Sequence, residues 1–435
     1  VLLLAEGLAG NQEKATLRQM ANSSTRTLDG AGPDGSQDWR VIGVIGIAHA
    51  SSHFFQLILP TLYISLGQEF GYDFLTLGGL VTTFYLVSCF GQASSGFLVD
   101  RIGALPVLKV GLSCFVVAAL LIGTANGYGM LLAAALIGGV GNAVFHPVDY
   151  SILNHRVSPA RLGHAFSAHG LTGNLGWALT PVFITTLTIY FNWRVAVLSA
   201  AALIAAILVL VLMNRDALSG RTASGAAPAR PQAKESVWTT LSTLLSRPSL
   251  WGAFLFFAFA TAAMAVVQNY TIPMLHNTYG IDKVTAGTAL SGFMLASAAG
   301  MFVGGFIAST TPRSEVIVFV SLCVSGALLL VLGAGWVMPS LALFVVGAAG
   351  FCSGIASPSR DMLIRRVTPK GSTGAVYGLV YSGMDVGSSL APVGFGLLLD
   401  VGLTQAPWYG AAIGYWTAAG LAVYVASTVS RATKS

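Results

Sequence analysis

The chain has 435 residues, 54% hydrophobic and only 9% charged, with a mean hydropathy of +0.74 and a net charge of +6. Soluble chains carry about 25% charged residues, so this one needs lipid as its solvent, and a soluble enzyme is excluded. A nucleic-acid partner is excluded too, because the basic residues are spread among short loops with no soluble module to hold them.

Residues 1–38 are mostly polar and are predicted to form a disordered tail. The apolar start VLLLAEGLAG has no basic region before it and is not read as a signal peptide. Twelve apolar stretches follow, each long enough for a bilayer crossing of roughly 20 residues: 41–65, 74–99, 104–124, 128–154, 163–190, 193–213, 249–275, 285–308, 314–333, 339–359, 373–399 and 408–429. They fall into two six-helix bundles, 39–213 and 249–430, joined by a polar linker at 214–248 rich in Ser, Ala, Pro and Arg, with 431–435 as a tail. If the N-terminus is cytoplasmic, all 22 Lys and Arg except Arg194 and Lys283 face the cytoplasm, the bias expected of inward loops. The expected location is a bacterial inner membrane, with both termini and the linker inside.

Span one carries His49, His53 and Gln56 on one helical face. After span two stands GFLVDRIGALPVL (96–108). Here Asp100, followed by Arg101, can sit near Ser372, Thr373 and Gly374 at the N-terminus of span eleven, where the helix dipole favours an anion. That contact would latch the halves on the linker side. The corresponding second-half loop, GGFIASTTPR (304–313), lacks the acid. Span four sets Asn142, His146 and Asp149 on one face, and span five sets His169 over Gly173, Gly176 and Thr180. His49, His146 and His169 lie at comparable depths, which lets them converge in the first half. Imidazoles there can take protons or, when charged, bind an anionic substrate.

In the second half, Gln268, Asn269 and Tyr270 mark the outer part of span seven. Arg360 and Asp361 stand near the inner end of span ten, and Arg360 is expected to pair with Asp149 as an inward gate. Span eleven holds Tyr377, Tyr381, Asp385 and Ser388 at helical spacing. Ionisable groups inside a bilayer are expensive and mark function. Asp385, near the middle of its span, is therefore the first candidate for proton coupling.

Residues 146–182 and 357–393 repeat one pattern at about 211 residues' distance: Pro147 answers Pro358, RVSP answers RVTP, LTPV (179–182) answers LAPV (390–393), and Asn174 falls opposite Asp385. Cys89, Cys114, Cys323 and Cys352 stand singly in different spans, without disulfide or zinc spacing, and read as packing residues. GGVG (138–141) lies inside an apolar span and is read as close packing. There is no hydrolase elbow, Walker loop, metal motif or cofactor motif, so neither a cofactor nor a metal is expected. Free metal ions are a poor fit because the histidines come without paired cysteines or clustered carboxylates.

Gly96, Leu98, Asp100, Arg101 and Gly103 resemble the loop signature of the major facilitator superfamily, without its usual final basic pair. AHASSHFFQLILPTLYISLGQEF (48–70), AVFHPVDY (143–150) and GHAFSAHGLTGNLGWALTPV (163–182) resemble the fosmidomycin-resistance-type branch. The superfamily resemblance implies a central site lined by spans one, four, seven and ten, worked by rocker-switch alternating access. The branch resemblance implies proton-driven export of small polar or drug-like compounds, with His49 and Phe145-His146-Pro147 at matching positions. Two departures stand out. His53 replaces an acid of the branch, and Thr180-Pro181 replaces the Gly-Pro ending of the antiporter signature. The reading is an all-α proton-coupled transporter of a small organic solute, monomeric, with efflux slightly favoured. An importer of an organic anion or metal chelate is the alternative, and a non-transporting membrane receptor a remote one. Its site set is Asp385, His53 and His49 for protons, and His49, His53, Gln56, Asn142, His146, His169, Asn174, Gln268, Asn269 and Tyr381 for substrate. Asp100, Arg101, Asp149 and Arg360 complete it as gating residues.

Overall fold

A computed structural model describes residues 35–158, 161–219, 246–311, 313–367 and 373–432, and every element among them is a helix. Span one is α1 (Gly35–Gln56), α2 (Ile58–Thr61) and α3 (Tyr63–Phe70). Then come α4 (Phe74–Ile102) and α5 (Ala104–Gly123), span four as α6 (Tyr128–Asn142) and α7 (Phe145–Arg156), α8 (Leu162–Tyr190), α9 (Trp193–Met213) and the short α10 (Arg215–Ser219). The second half is α11 (Pro248–Tyr279), α12 (Lys283–Thr310), α13 (Ser314–Gly333), α14 (Pro339–Val367), α15 (Thr373–Asp400) and α16 (Ala406–Ala432). Each predicted span falls on one of these stretches. Among the described residues, eight helical stretches are long and apolar enough to cross a membrane, α6 and α7 together counting as one. α1 and α8 fall short because their histidines and amides dilute the apolar run.

Two boundaries differ from expectation. α1 starts at Gly35, inside the predicted tail, because Asp38 is buried and accepts bonds from Ser158 N (3.2 Å), Ser158 Oγ (2.6 Å) and Arg161 Nη1 (2.9 Å). The predicted linker begins with α10, and residues 220–245 lie outside the description.

The interruption of span four follows from Pro147. Proline has no N–H to give the carbonyl four residues back, and its ring crowds that carbonyl. The carbonyl belongs to Ala143, where the helix breaks, and Ser95 Oγ on α4 donates to it instead (3.1 Å). Pro60 stands in the same relation to Gln56, where α1 stops.

Within the first half α1 packs on α8, and α5 on α6 and α9; within the second, α12 packs on α14 and α11 on α15 and α16. The halves meet along two seams, α4 on α15 and α12 on α8. These seams are equivalent under the internal repeat, and α4 and α12 begin alike. Asp73 Oδ1 accepts from Thr76 N (2.8 Å), and Asp282 Oδ1 from Val284 N and Thr285 N (3.0 Å each), both N-caps. The threonine bonds hold both carboxyls below the usual carboxylate range. Five residues on from each cap stands a glycine at the seam. A Cβ on Gly78 would lie 2.5 Å from Pro392 O, and one on Gly287 would lie 2.9 Å from Thr185 Oγ1 and 3.5 Å from Pro181 O.

Hydrogen bonds tie the halves on the side away from the linker. Asp400, at the end of α15, accepts from the backbone N–H groups of Phe74 (2.9 Å) and Leu75 (2.6 Å). Thr82 Oγ1 donates to Ser389 O (2.5 Å), Tyr63 OH to Asn269 Oδ1 (2.9 Å) and Lys283 Nζ to Gln68 Oε1 (2.9 Å).

Candidate functional site

The break at Ala143 re-aims the second part of span four, and α7 carries His146 and Asp149 toward α1 and α8. Asp149 is wholly buried. Its Oδ2 lies 3.0 Å from His49 Nδ1 and 3.1 Å from His169 Nε2. The His49 and His169 rings stack with centroids 3.5 Å apart. His53 meets His49 edge-on at 4.6 Å, and His146 lies 5.4 Å from His49 and 6.0 Å from His169. The predicted convergence of His49, His146 and His169 is thus found, with His53 beside it. Helix spacing and equal depth were the signals. A Cβ on Gly173 would lie 3.1 Å from both His49 Nε2 and His53 Nε2, so this glycine gives the imidazoles their room on α8.

A layer of amides flanks the histidines. Asn142 Oδ1 accepts from Gln56 Nε2 (2.9 Å) and Ser52 Oγ (3.1 Å), and its Nδ2 donates to Ser88 Oγ (2.8 Å). Trp177 Nε1 donates to Gln56 Oε1 (2.9 Å), and its ring packs 4.1 Å from that of His53. Trp177, Ser52 and Ser88 were not singled out from the sequence, where nothing marks them. Buried polar groups are normally paired. Here Asp149 Oδ1 and both ring nitrogens of His53 have no hydrogen-bond partner among the described residues.

The expected Asp149–Arg360 pair is not formed. Asp149 turns inward onto two histidines of its own half. Arg360 Nε donates to Asp361 Oδ1 (2.9 Å), with its guanidinium 5.2 Å from the Phe257 ring centroid. A buried carboxylate takes the nearest donors that desolvate with it, and α1 and α8 supply them. Asn269 is taken up by Tyr63 in the seal between the halves. Gln268 is buried, and its Nε2 has no partner among the described residues. Asn174 bonds back to Gly170 O (3.0 Å) on its own helix, apart from the cluster.

Asp385 lies half-buried on the α4–α15 seam, beside Cys89 of α4. Cys89 was read as packing alone; its position opposite the acid depends on how the halves meet. The side chains of Asp100, Tyr377 and Tyr381 lie outside the description, as does Ser372. The Asp100 latch and the tyrosine stripe therefore lie outside the described residues. Arg101 is exposed at the end of α4.

Comparison with known proteins agrees with this architecture. The sequence matches the family model described as Major Facilitator Superfamily over residues 45–392 and again over 262–434. It is 27% identical over 282 residues to the fosmidomycin resistance protein of Escherichia coli K12, covering 64% of this chain and 67% of that one. It is 28% identical over 339 residues to the probable nitrate/nitrite transporter NarK2 of Mycobacterium tuberculosis, covering 74% and 79%. A bacterial homolog of the human lysosomal transporter Spinster, solved inward-facing and unoccupied, superposes with a TM-score of 0.71 at 14% identity, over 92% of this chain and 97% of that one. With the family model spanning both halves, the chain belongs to the Major Facilitator Superfamily, whose members are multi-pass membrane transporters.

Proposed function

We propose that the protein is a proton-coupled secondary transporter of a small polar or anionic organic solute. It would work by alternating access in a bacterial inner membrane, with the linker side cytoplasmic. The observation that carries this reading is the buried cluster of His49, His53, His146 and His169 around Asp149, an ionisable site built from three helices in one half. Asp385 gives the seam a second protonatable group, placed beside Cys89 of the other half. As the halves rock, both sites change their surroundings, and a carboxylate or imidazole can exchange a proton with each change. The hydrogen bonds at Asp400, Thr82, Tyr63 and Lys283 all lie on the side away from the linker. With the basic loops inside, these contacts support an inward-facing reading of the structure.

Efflux is favoured by likeness to the fosmidomycin resistance protein, while Thr180-Pro181 at the antiporter ending favours import. The relatives' names supply two probes, fosmidomycin and nitrate. In proteoliposomes with an imposed pH gradient, flux of a transported probe should follow the gradient. Asp385→Asn and His53→Ala should each cut gradient-driven flux by about tenfold, roughly 1.4 kcal/mol in the driven step. Flux indifferent to the gradient, or unchanged in both variants, would remove proton coupling. The sign of accumulation gives the direction.

A further inference from the structure

We infer that the histidine cluster is a binding site for one divalent first-row transition ion of the zinc class, held by His49, His146 and His169 beside the Asp149 carboxylate. One ring nitrogen from each of these histidines lies within 4.8 Å of the other two. Metal–imidazole bonds are about 2.0–2.1 Å long, so two nitrogens on a tetrahedral ion sit roughly 3.4 Å apart. Bringing the three nitrogens onto one ion therefore needs them drawn together by up to about 1.4 Å, a movement that rotation of the rings about their side-chain bonds would supply.

The ligand chemistry selects the class. Three imidazoles with a carboxylate beside them, and no thiolate or thioether among them, suit Zn(II), Ni(II), Co(II) or Cu(II) rather than Cu(I), and such a set is too nitrogen-rich for Mg(II) or Ca(II). The carboxylate is already in contact with two of the rings, the arrangement by which metal-binding histidines are oriented. Asp149 is wholly buried, its Oδ1 has no partner among the described residues, and its charge offsets part of the ion's. His146, the most accessible of the three, gives the ion its way in. From the sequence a free metal ion was a poor fit, because the histidines come without paired cysteines or clustered carboxylates; the structure puts one carboxylate, Asp149, against two of them.

This inference does not rest on proton coupling, and its test reads binding rather than transport. The full chain, freed of any histidine tag and purified in detergent, is dialysed to equilibrium against Zn(II) buffered by a chelator, and bound metal is counted. One ion per chain is expected. His146→Gln and Asp149→Asn should each weaken binding about tenfold or more. His155→Gln, His164→Gln and His276→Gln, at exposed positions, should leave it unchanged. Size-exclusion profiles and helical circular dichroism identify any variant that fails to fold, and X-ray absorption at the zinc edge of the unaltered protein reads the ligands directly. An imidazole-rich shell supports the site. An oxygen-only shell, sub-stoichiometric metal, or equal binding by a folded His146→Gln variant overturns it.

Discussion

Gly173 decides where two imidazoles sit. A methyl group there would stand 3.1 Å from His49 Nε2 and 3.1 Å from His53 Nε2, tighter than ordinary contact, so the rings must shift by a few tenths of an ångström. Both rings are packed against aromatic neighbours, but among the described residues neither has a polar side-chain partner other than Asp149, and His53 not even that. Gly173→Ala should still fold, since overpacking typically costs about 1–3 kcal/mol and the better helix propensity of alanine returns about 1 of it. Its probe flux should drop several-fold. A variant with full flux would show that the ring positions do not matter to transport.

At the scale of the helix, the break in span four brings the cluster together. Pro147→Ala restores an N–H able to reach Ala143 O, in competition with Ser95. The helix would straighten and carry Asp149 away from His49 and His169. The expected result is a folded protein in which cysteines at 146 and 169 crosslink poorly compared with the same pair in the parent; equal crosslinking would sever the link between the break and the cluster. This step also separates what the sequence disclosed from what it did not. Span positions, the repeat and the depth of the histidines were legible because they depend on hydropathy and on 3.6-residue periodicity, both local. Asp149 was placed on the correct face with His146, yet its partners in this state, His49 and His169, were not foreseen. Those partners depend on a backbone bend and on which neighbour is nearest once helices pack. Cys89 facing Asp385, Tyr63 facing Asn269 and Asp400 facing Phe74 are likewise relations between the halves, which no single stretch of sequence encodes.

For the whole molecule, the balance between the two access states is set by contacts such as Asp400 on the first turn of α4. A carboxylate on two free N–H groups at a helix start gains both the hydrogen bonds and the dipole, together about 1–3 kcal/mol. Asp400→Ala should loosen the side away from the linker. A cysteine replacing Tyr63, which is buried against Asn269, should then react several-fold faster with a water-soluble maleimide than in the parent background. An unchanged rate would mean that the remaining contacts close that side without it.

The two glycine contacts at the seams have a mechanical meaning. Gly78 rests against Pro392 and Gly287 against Thr185 and Pro181, at matched places in the repeat. Two fixed points define a line, and a body held at two points keeps only rotation about that line. If both contacts persist through the cycle, the halves cannot slide, twist or part, and every state along the path is described by one angle. The small residues at the seams would then act as bearings, turning a pair of loosely joined bundles into a machine with a single stroke.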